Sequence, residues 1–166
     1  MSAVNPIYWL IPGLLAGRPG PNWVEWSLDE LWAMGFRTIV SLIQVDGEAI
    51  RAAGFRHYQD HLPGQMAFLP FLRCRLAQRM LAVVDFIAGE LAAGRPTLVH
   101  CRQGKDRTGA VLAGYLIRYV GLSPEEALAR VRQANPRAMS MLGFDRLPAL
   151  FSATVCPPRQ AIHEMR

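Results

Sequence analysis

The most informative stretch of the chain is residues 96–109, which read PTLVHCRQGKDRTG. The segment formed by residues 96–100 is short and apolar, which is typical of a buried strand. Gly104 permits a tight backbone turn after that strand, and residues 108–120 then predict a helix. A strand, a glycine-containing loop and a helix in this order predict an α/β fold. The loop should lie at the carboxyl end of a strand, where such folds bind their ligands.

The remaining sequence continues the alternation of strands and helices. The predicted strands cover residues 8–11, 14–16, 37–43 and 55–59. The other predicted helices cover residues 22–34, 46–54, 71–93, 124–134 and 144–152. Residues 60–70 contain two prolines and a glycine and predict a loop. We therefore expect a central, mostly parallel twisted sheet flanked by helices. A single domain should occupy residues 1–153, followed by a C-terminal tail at 154–166.

Charge and cysteine content limit the possible partners and compartments. The 166-residue chain has a formal net charge of +5, and Lys105 is its only lysine, so arginine supplies the excess. A basic surface favours phosphoproteins, inositol phosphates, acidic lipids or nucleic acid, although it is also a common generic property. Cys74, Cys101 and Cys156 show neither a disulfide framework nor zinc-type spacing. We expect a cytoplasmic protein without a signal peptide, a bound metal or a transmembrane segment.

The loop after the strand has the chemistry of an activated thiol and an anion site. Cys101 and Arg107 are separated by five residues. A loop that wraps around one point can direct several backbone N–H groups inward, and the following helix adds its positive dipole end. Such a field favours the thiolate of Cys101, which is the nucleophilic form. The planar fork of Arg107 can hold two phosphate oxygens, and the Thr108 hydroxyl can donate to the sulfur.

These residues resemble the signature of the protein tyrosine phosphatase superfamily, in which His-Cys is followed by five residues, Arg, Ser or Thr, and Gly. All fixed positions are matched, at His100, Cys101, Gly104, Arg107, Thr108 and Gly109. Residues 9–17 and 121–127 are similar to small atypical dual-specificity phosphatases, so the resemblance covers roughly residues 8–151. Ser123 and Glu126 also form a capping-box pattern, which is a purely structural explanation of the second stretch.

The resemblance implies a set of functional residues. His100, Cys101, Arg107 and Thr108 would be catalytic. The substrate phosphate would be bound by Arg102, Gln103, Gly104, Lys105, Asp106 and Arg107. We expect a monomer without a cofactor that acts on a phosphorylated protein or a phosphoinositide, and no nucleic-acid partner.

The sequence departs from the family at two positions. The family's general acid is an Asp, often just after a proline, and here Gly64 follows Pro63. By rough alignment, Phe144 replaces a Gln that positions the hydrolytic water in many relatives. We therefore consider three donors for the leaving-group proton, with Asp106 first, Asp60 second and Asp46 third. Asp106 could instead brace the loop through hydrogen bonds to backbone N–H groups.

The substrate and the activity itself have alternatives. Phosphotyrosine and dual-specificity protein substrates come first. Phosphoinositides or inositol phosphates come second, because Lys105-Asp106-Arg107 resembles myotubularin-type loops and some bacterial phosphatases active on inositol lipids. A phosphate-binding pseudophosphatase would explain Gly64 and Phe144. His100 and Thr108 favour phosphatase chemistry over sulfur-transfer or arsenate-reducing chemistry. Cys74 is either a redox partner of Cys101 or an ordinary helix residue.

Overall fold

The central element of the protein is a five-stranded sheet. The computed structural model of the chain describes residues 6–152. Its strands are β1 (Tyr8–Ile11), β2 (Leu15–Pro19), β3 (Thr38–Ser41), β4 (Arg56–Gln59) and β5 (Thr97–Cys101). The strand order is β1-β2-β5-β3-β4, with β1 antiparallel to β2 and every other pair parallel. The predicted mostly parallel sheet is therefore confirmed, and β5 occupies its centre.

Helices cover both faces of this sheet. They are α1 (Leu28–Ala33), α2 (Gly47–Ala52), α3 (Pro70–Ala92), α4 (Arg107–Tyr115) and α5 (Pro124–Ala134). A π-helical segment, Leu116–Val120, continues α4, and 3₁₀ turns occur at Gly64–Ala67, Phe144–Arg146 and Pro148–Phe151. The Ser123 hydroxyl accepts from the Glu126 N–H while the Glu126 carboxylate accepts from the Ser123 N–H, so the predicted capping box starts α5.

The strands bury side chains on both faces, which explains their continuous apolar sequences. On β5, Leu98 packs into the cluster with α1 and α2, whereas Val99 packs into the cluster formed with α3, α4 and α5. On β3, Ile39 and Val40 divide in the same way. Since β5 is enclosed above, below and on both sides, its carboxyl end is a rigid platform for the loop that follows.

Two predicted helices are shorter or of a different type. Residues 22–27 are not helical, because the carbonyls of Val24 and Glu25 accept hydrogen bonds from the buried Arg18 guanidinium instead of from a following helical turn. The helix predicted over residues 144–152 is two 3₁₀ turns. Pro148 lacks the N–H that an α-helix needs at that position. The predicted tail, residues 154–166, lies outside the described residues.

Candidate active site

The loop between β5 and α4 is tightly closed around the Cys101 sulfur. The Cys101 residue is only 3% exposed, and its Sγ accepts the Gly104 N–H at 3.3 Å. Gly104 has φ +70°, and a Cβ added there would lie 2.3 Å from the Arg18 carbonyl oxygen. Both the positive φ and the close backbone approach require glycine. This loop geometry therefore depends on Gly104 and on the packing of β2 beside it.

The Gly104 backbone is also held from the opposite side by Tyr8 on β1. The Tyr8 hydroxyl donates to the Gly104 carbonyl at 2.5 Å. Burial, and then the nearby Cys101 sulfur, raise the pKa of Tyr8 above its usual value, so the hydroxyl keeps its proton and remains a donor. The two polar groups of the Gly104 backbone are thus both engaged, which fixes the N–H that faces the sulfur.

His100 anchors the backbone of the nucleophile through a chain of hydrogen bonds. Its Nδ1 lies 3.2 Å from the Cys101 carbonyl, and its Nε2 lies 2.6 Å from the Ser41 hydroxyl. The Ser41 oxygen is also 2.9 Å from His57 Nε2. Burial lowers the pKa of His100 to about 4, so its ring is neutral at pH 7.

The direction of this chain follows from the chemistry of its ends. A carbonyl only accepts, so His100 Nδ1 carries the hydrogen and Nε2 must accept from the Ser41 hydroxyl. The Ser41 oxygen then accepts from His57 Nε2–H. His100 is consequently hydrogen-bonded at both ring nitrogens, and one of these bonds holds the Cys101 carbonyl.

A cleft of about 390 Å³ opens above the sulfur. All the predicted phosphate-binding residues except Gly104 line it. The facing wall comes from two other segments, through His61, Gly64, Gln65, Phe68, Met141 and Phe144. The size and position of the cleft suit a phosphate group placed over Cys101, with the rest of the substrate between the two walls.

The two departures from the family motif lie next to each other beside Arg107. A Cβ added at Gly64 would be 3.7 Å from the Phe144 ring and 3.8 Å from Arg107 Nε. Arg107 Nη1 donates to the Leu62 carbonyl at 3.2 Å, which ties the guanidinium to the same wall. Position 64 therefore faces Arg107 with Phe144 beside it, and neither Gly64 nor Phe144 can supply a proton donor or a hydrogen bond to water.

Of the three carboxylates proposed as the acid, only Asp106 lines the cleft. Its Oδ1 accepts the Met141 N–H at 3.1 Å, and its Oδ2 lies 3.0 Å from Lys105 Nζ. The Asp60 carboxylate pairs with Arg79 on α3, and Asp46 caps α2 by accepting from the Ala49 N–H. Asp106 also braces the loop as the structural alternative predicted, since it joins the phosphate loop to the segment at Met141.

Thr108 differs from its predicted role. Its hydroxyl is buried, but it makes no hydrogen bond with any residue in the described range 6–152. The expected donation from Thr108 to the Cys101 sulfur is therefore not formed in this structure. Arg102 lines the cleft, and its guanidinium also lies 5.4 Å from the centre of the exposed Trp23 ring.

Several supporting residues were not identified from the sequence. Tyr8, Ser41 and His57 hydrogen-bond the loop or the His100 chain, and the Arg18 backbone packs against Gly104, yet none belongs to the signature. A signal exists for two of them, because Ser41 lies inside the apolar stretch 37–43 and Arg18 directly follows the small residues Ala16 and Gly17. Polar side chains placed so are usually buried for a hydrogen-bonding purpose.

Comparisons with known proteins agree with the fold and with the family that the sequence signature resembles. The family described as Swiss Army Knife protein, DSP-PTPase phosphatase domain, matches residues 5–153. The chain belongs to this family and is a small, atypical dual-specificity-type member of the protein tyrosine phosphatase superfamily. Members of this family are hydrolases of the dual-specificity protein phosphatase type.

Individual relatives extend this assignment. The chain is 34% identical over 127 residues to phosphatidylglycerophosphate phosphatase PTPMT1 of Arabidopsis thaliana, covering 76% of this chain and 36% of that protein. It is 42% identical over 52 residues to human dual specificity phosphatase 28, covering 31% of this chain and 30% of the relative. The matches thus span about a third of the length of these relatives.

Solved structures show the same fold. A mouse putative dual specificity phosphatase complexed with zinc tungstate superposes with a TM-score of 0.73 at 22% identity, covering 98% of this chain and 94% of that one. PTPMT1 in complex with PI(5)P gives a TM-score of 0.70 at 14% identity, covering 89% and 94%. Within residues 6–152, no helix has the length and apolar character needed to cross a bilayer.

Proposed function

We propose that the protein hydrolyses phosphomonoesters through a cysteinyl-phosphate intermediate. The observation that carries this proposal is the Cys101 sulfur at the base of the cleft, hydrogen-bonded by Gly104 N–H and faced by Arg107. The Cys101 thiolate attacks phosphorus as the ester P–O bond breaks, and the departing oxygen takes a proton. Water then attacks phosphorus and returns one proton to the group that protonated the leaving oxygen, while the P–S bond breaks and the thiolate is restored.

Arg107 stabilises the charge that develops on the transferring phosphoryl group. Its guanidinium is tied to the cleft wall through Leu62, so it is oriented before the substrate arrives. Preorganised donors of this kind account for a large share of catalysis in charged transition states. Thr108 adjoins this site. We propose that its unpaired hydroxyl donates a hydrogen bond to the Cys101 sulfur during the reaction rather than in the resting protein.

Asp106 is the proposed proton donor to the leaving group. It lines the cleft, whereas Asp60 and Asp46 are engaged elsewhere. The substitution Asp106→Asn keeps an oxygen that can accept the Met141 N–H, so it removes acidity while retaining this brace. The matched control is Asp60→Asn. We expect Asp106→Asn to lose about 10²-fold or more on an alkyl phosphate and little on an activated aryl phosphate. Equal losses on both substrates would assign Asp106 to structure alone.

Phosphorylated proteins and phospholipid phosphates are the two proposed substrate classes. The dual-specificity relatives support phosphotyrosine or dual-specificity protein substrates. A lipid phosphate is favoured by a separate observation, since Lys105 lines the cleft beside Arg107 and adds a second cation for a headgroup. The relative matched over 76% of this chain is named a phosphatidylglycerophosphate phosphatase.

The test is phosphate release from a panel of phosphotyrosine peptides, phosphoserine peptides, phosphoinositides and phosphatidylglycerophosphate. Wild-type protein should release phosphate from at least one of them, while Cys101→Ser should release none and still bind phosphate. No release from any substrate, with phosphate still bound, would establish the pseudophosphatase alternative. We further propose that one catalytic domain covers residues 1–153 and acts as a monomer in the cytoplasm.

A further inference from the structure

Exposed apolar side chains are concentrated beside the cleft. Eleven large apolar residues are exposed in the described part of the chain, and five of them lie in residues 68–71 and 141–142. Phe71, at 77%, and Leu142, at 74%, are the two most exposed of all eleven. We call these five residues the apolar rim: Phe68, Leu69, Phe71, Met141 and Leu142. Such clustering marks an interaction surface rather than the scatter that ordinary surfaces show.

The two segments of the rim form one continuous surface at the mouth of the cleft. A Cβ added at Gly143, where φ is +87°, would lie 2.0 Å from the Ala67 carbonyl oxygen. Arg73 Nε donates to that same oxygen at 2.7 Å. Phe68 and Met141 also line the cleft itself. The rim therefore borders the opening through which a substrate must pass.

The surroundings of the rim are strongly positive. Residues 61–76, 101–109 and 137–144 contain six basic side chains and one acidic side chain. The basic residues are Arg73, Arg75, Arg102, Lys105, Arg107 and Arg137. The acidic residue, Asp106, is paired with Lys105. Asp60 and Asp145, which directly flank these ranges, are paired with Arg79 and Arg146, so the five arginines remain in excess. Protruding apolar side chains beside an excess of cations are the combination that binds an anionic membrane surface.

We infer that the apolar rim inserts into the surface of a bilayer containing anionic phospholipid, so that a lipid phosphate headgroup enters the cleft. This inference rests on the proposed phosphatase function and selects its lipid substrate class. A bilayer fits better than a peptide because Phe71 and Leu142 protrude, whereas a peptide side chain needs a concave pocket to fill. The Cys101 sulfur is buried, so the rim must approach the headgroup layer for the phosphate to reach it.

The experiment compares two double variants of the full chain. The rim variant is Phe71→Gln with Leu142→Gln, and neither residue lines the cleft. The control is Leu14→Gln with Val120→Gln, which removes two other exposed apolar side chains. Leu14 adjoins the start of β5, at the opposite end of the sheet from the phosphate loop. Co-sedimentation uses phosphatidylcholine vesicles with and without phosphatidylglycerol, and a soluble aryl phosphate measures intrinsic activity.

We expect wild-type and control proteins to sediment with the phosphatidylglycerol vesicles and much less with phosphatidylcholine alone. The rim variant should bind about tenfold or more weakly per side chain removed. Its turnover of the soluble aryl phosphate should match wild type, which also shows that it is folded. Added salt should weaken wild-type binding, because it screens the cationic contribution.

Equal vesicle binding by the rim variant and wild type, or equal loss by the control, would overturn the inference. It would also be overturned if the wild-type protein did not bind vesicles and the rim variant had a lower kcat/KM on phosphopeptides. The rim would then be a docking surface for proteins. If wild type bound anionic vesicles through the rim but hydrolysed no phosphate ester, docking would stand and the proposed phosphatase function would fail.

Discussion

Glu90 provides a sharp test of how the sheet beneath the site is held together. This residue of α3 is almost fully buried, and its Oε2 accepts from Thr38 Oγ1 at 2.6 Å, Arg56 Nε at 2.9 Å and Arg95 Nε at 2.7 Å. Its Oε1 accepts from Arg95 Nη2 at 3.0 Å. One carboxylate thus joins α3 to β3, to β4 and to the residue pair that precedes β5. The substitution Glu90→Gln keeps the shape and removes the charge.

The expected magnitude follows from the pKa of this carboxyl group. The hydrogen bond from Arg95 is the largest cause, and with those from Thr38 and Arg56 it outweighs burial and lowers the pKa of Glu90 from 4.5 to about 2. That difference corresponds to roughly 3 kcal/mol of folding stability. The exposed parts of Arg56 and Arg95 are screened by solvent, so roughly 2 kcal/mol is the expected net effect.

The sign of the pH dependence is set by the lowered pKa. The folded state holds the charged form more tightly than the unfolded state, so the stabilisation is complete above about pH 4.5 and is lost as the pH falls toward 2. Urea unfolding of wild type and Glu90→Gln at pH 7 should therefore differ by roughly 2 kcal/mol. The difference should shrink as the pH is lowered through this window.

The matched control is Glu126→Gln. Glu126 is an exposed carboxylate of the α5 capping box, and glutamine can make the same capping hydrogen bond. Its effect on unfolding should be small at every pH. A Glu90→Gln deficit that stays constant from pH 7 to pH 3, or that is no larger than the Glu126→Gln deficit, would refute the role given to the buried carboxylate.

Three further changes test the site. Arg107→Lys keeps the charge and loses the two-point fork, so kcat/KM should fall by about 10²–10³-fold, and activity within a few-fold of wild type would contradict the assigned grip on phosphate. Gly104→Ala places a Cβ 2.3 Å from the Arg18 carbonyl oxygen at a residue with φ +70°. Turnover should therefore fall about 10²-fold while the circular dichroism spectrum changes little. Unaltered turnover would show that the loop tolerates a side chain. Ser41→Ala leaves His100 Nε2 buried without a donor and should lower the free energy of unfolding in urea by about 1–3 kcal/mol. The control Ser140→Ala removes only the contact with Lys105. Similar effects of the two substitutions would argue against the His100 hydrogen-bond chain.

Much of the site was predictable because its determinants are local in sequence. The strand, the glycine turn and the helix start occur within residues 96–109, so Cys101 and Arg107 were assigned to the loop from spacing alone. Helix ends were predictable for the same reason where capping is local, as at Asp46 for α2 and Ser123 for α5. The absence of an expected acid at Gly64 was also visible in the sequence.

Other features depended on contacts between distant segments. The apolar residues in 22–27 have helical spacing. The Arg18 guanidinium, however, donates hydrogen bonds to the carbonyls of Val24 and Glu25, and a helix does not form there. Asp60 and Asp106 were both candidate acids, and only packing places Asp106 on the cleft while Arg79 holds Asp60.

The sequence by itself determined the class of fold and the chemistry of the phosphate loop, because both are encoded in periodicity and in one short motif. The tertiary structure decided which residues support that motif. Strand order places Ser41 of β3 beside His100 of β5 and His57 of β4 beside Ser41, although they are far apart in the chain. The apolar rim likewise exists only because Gly143 packs against Ala67 and so brings residues 68–71 and 141–142 to the same side of the cleft. Such contacts arise from burial of the whole core, which no local pattern records.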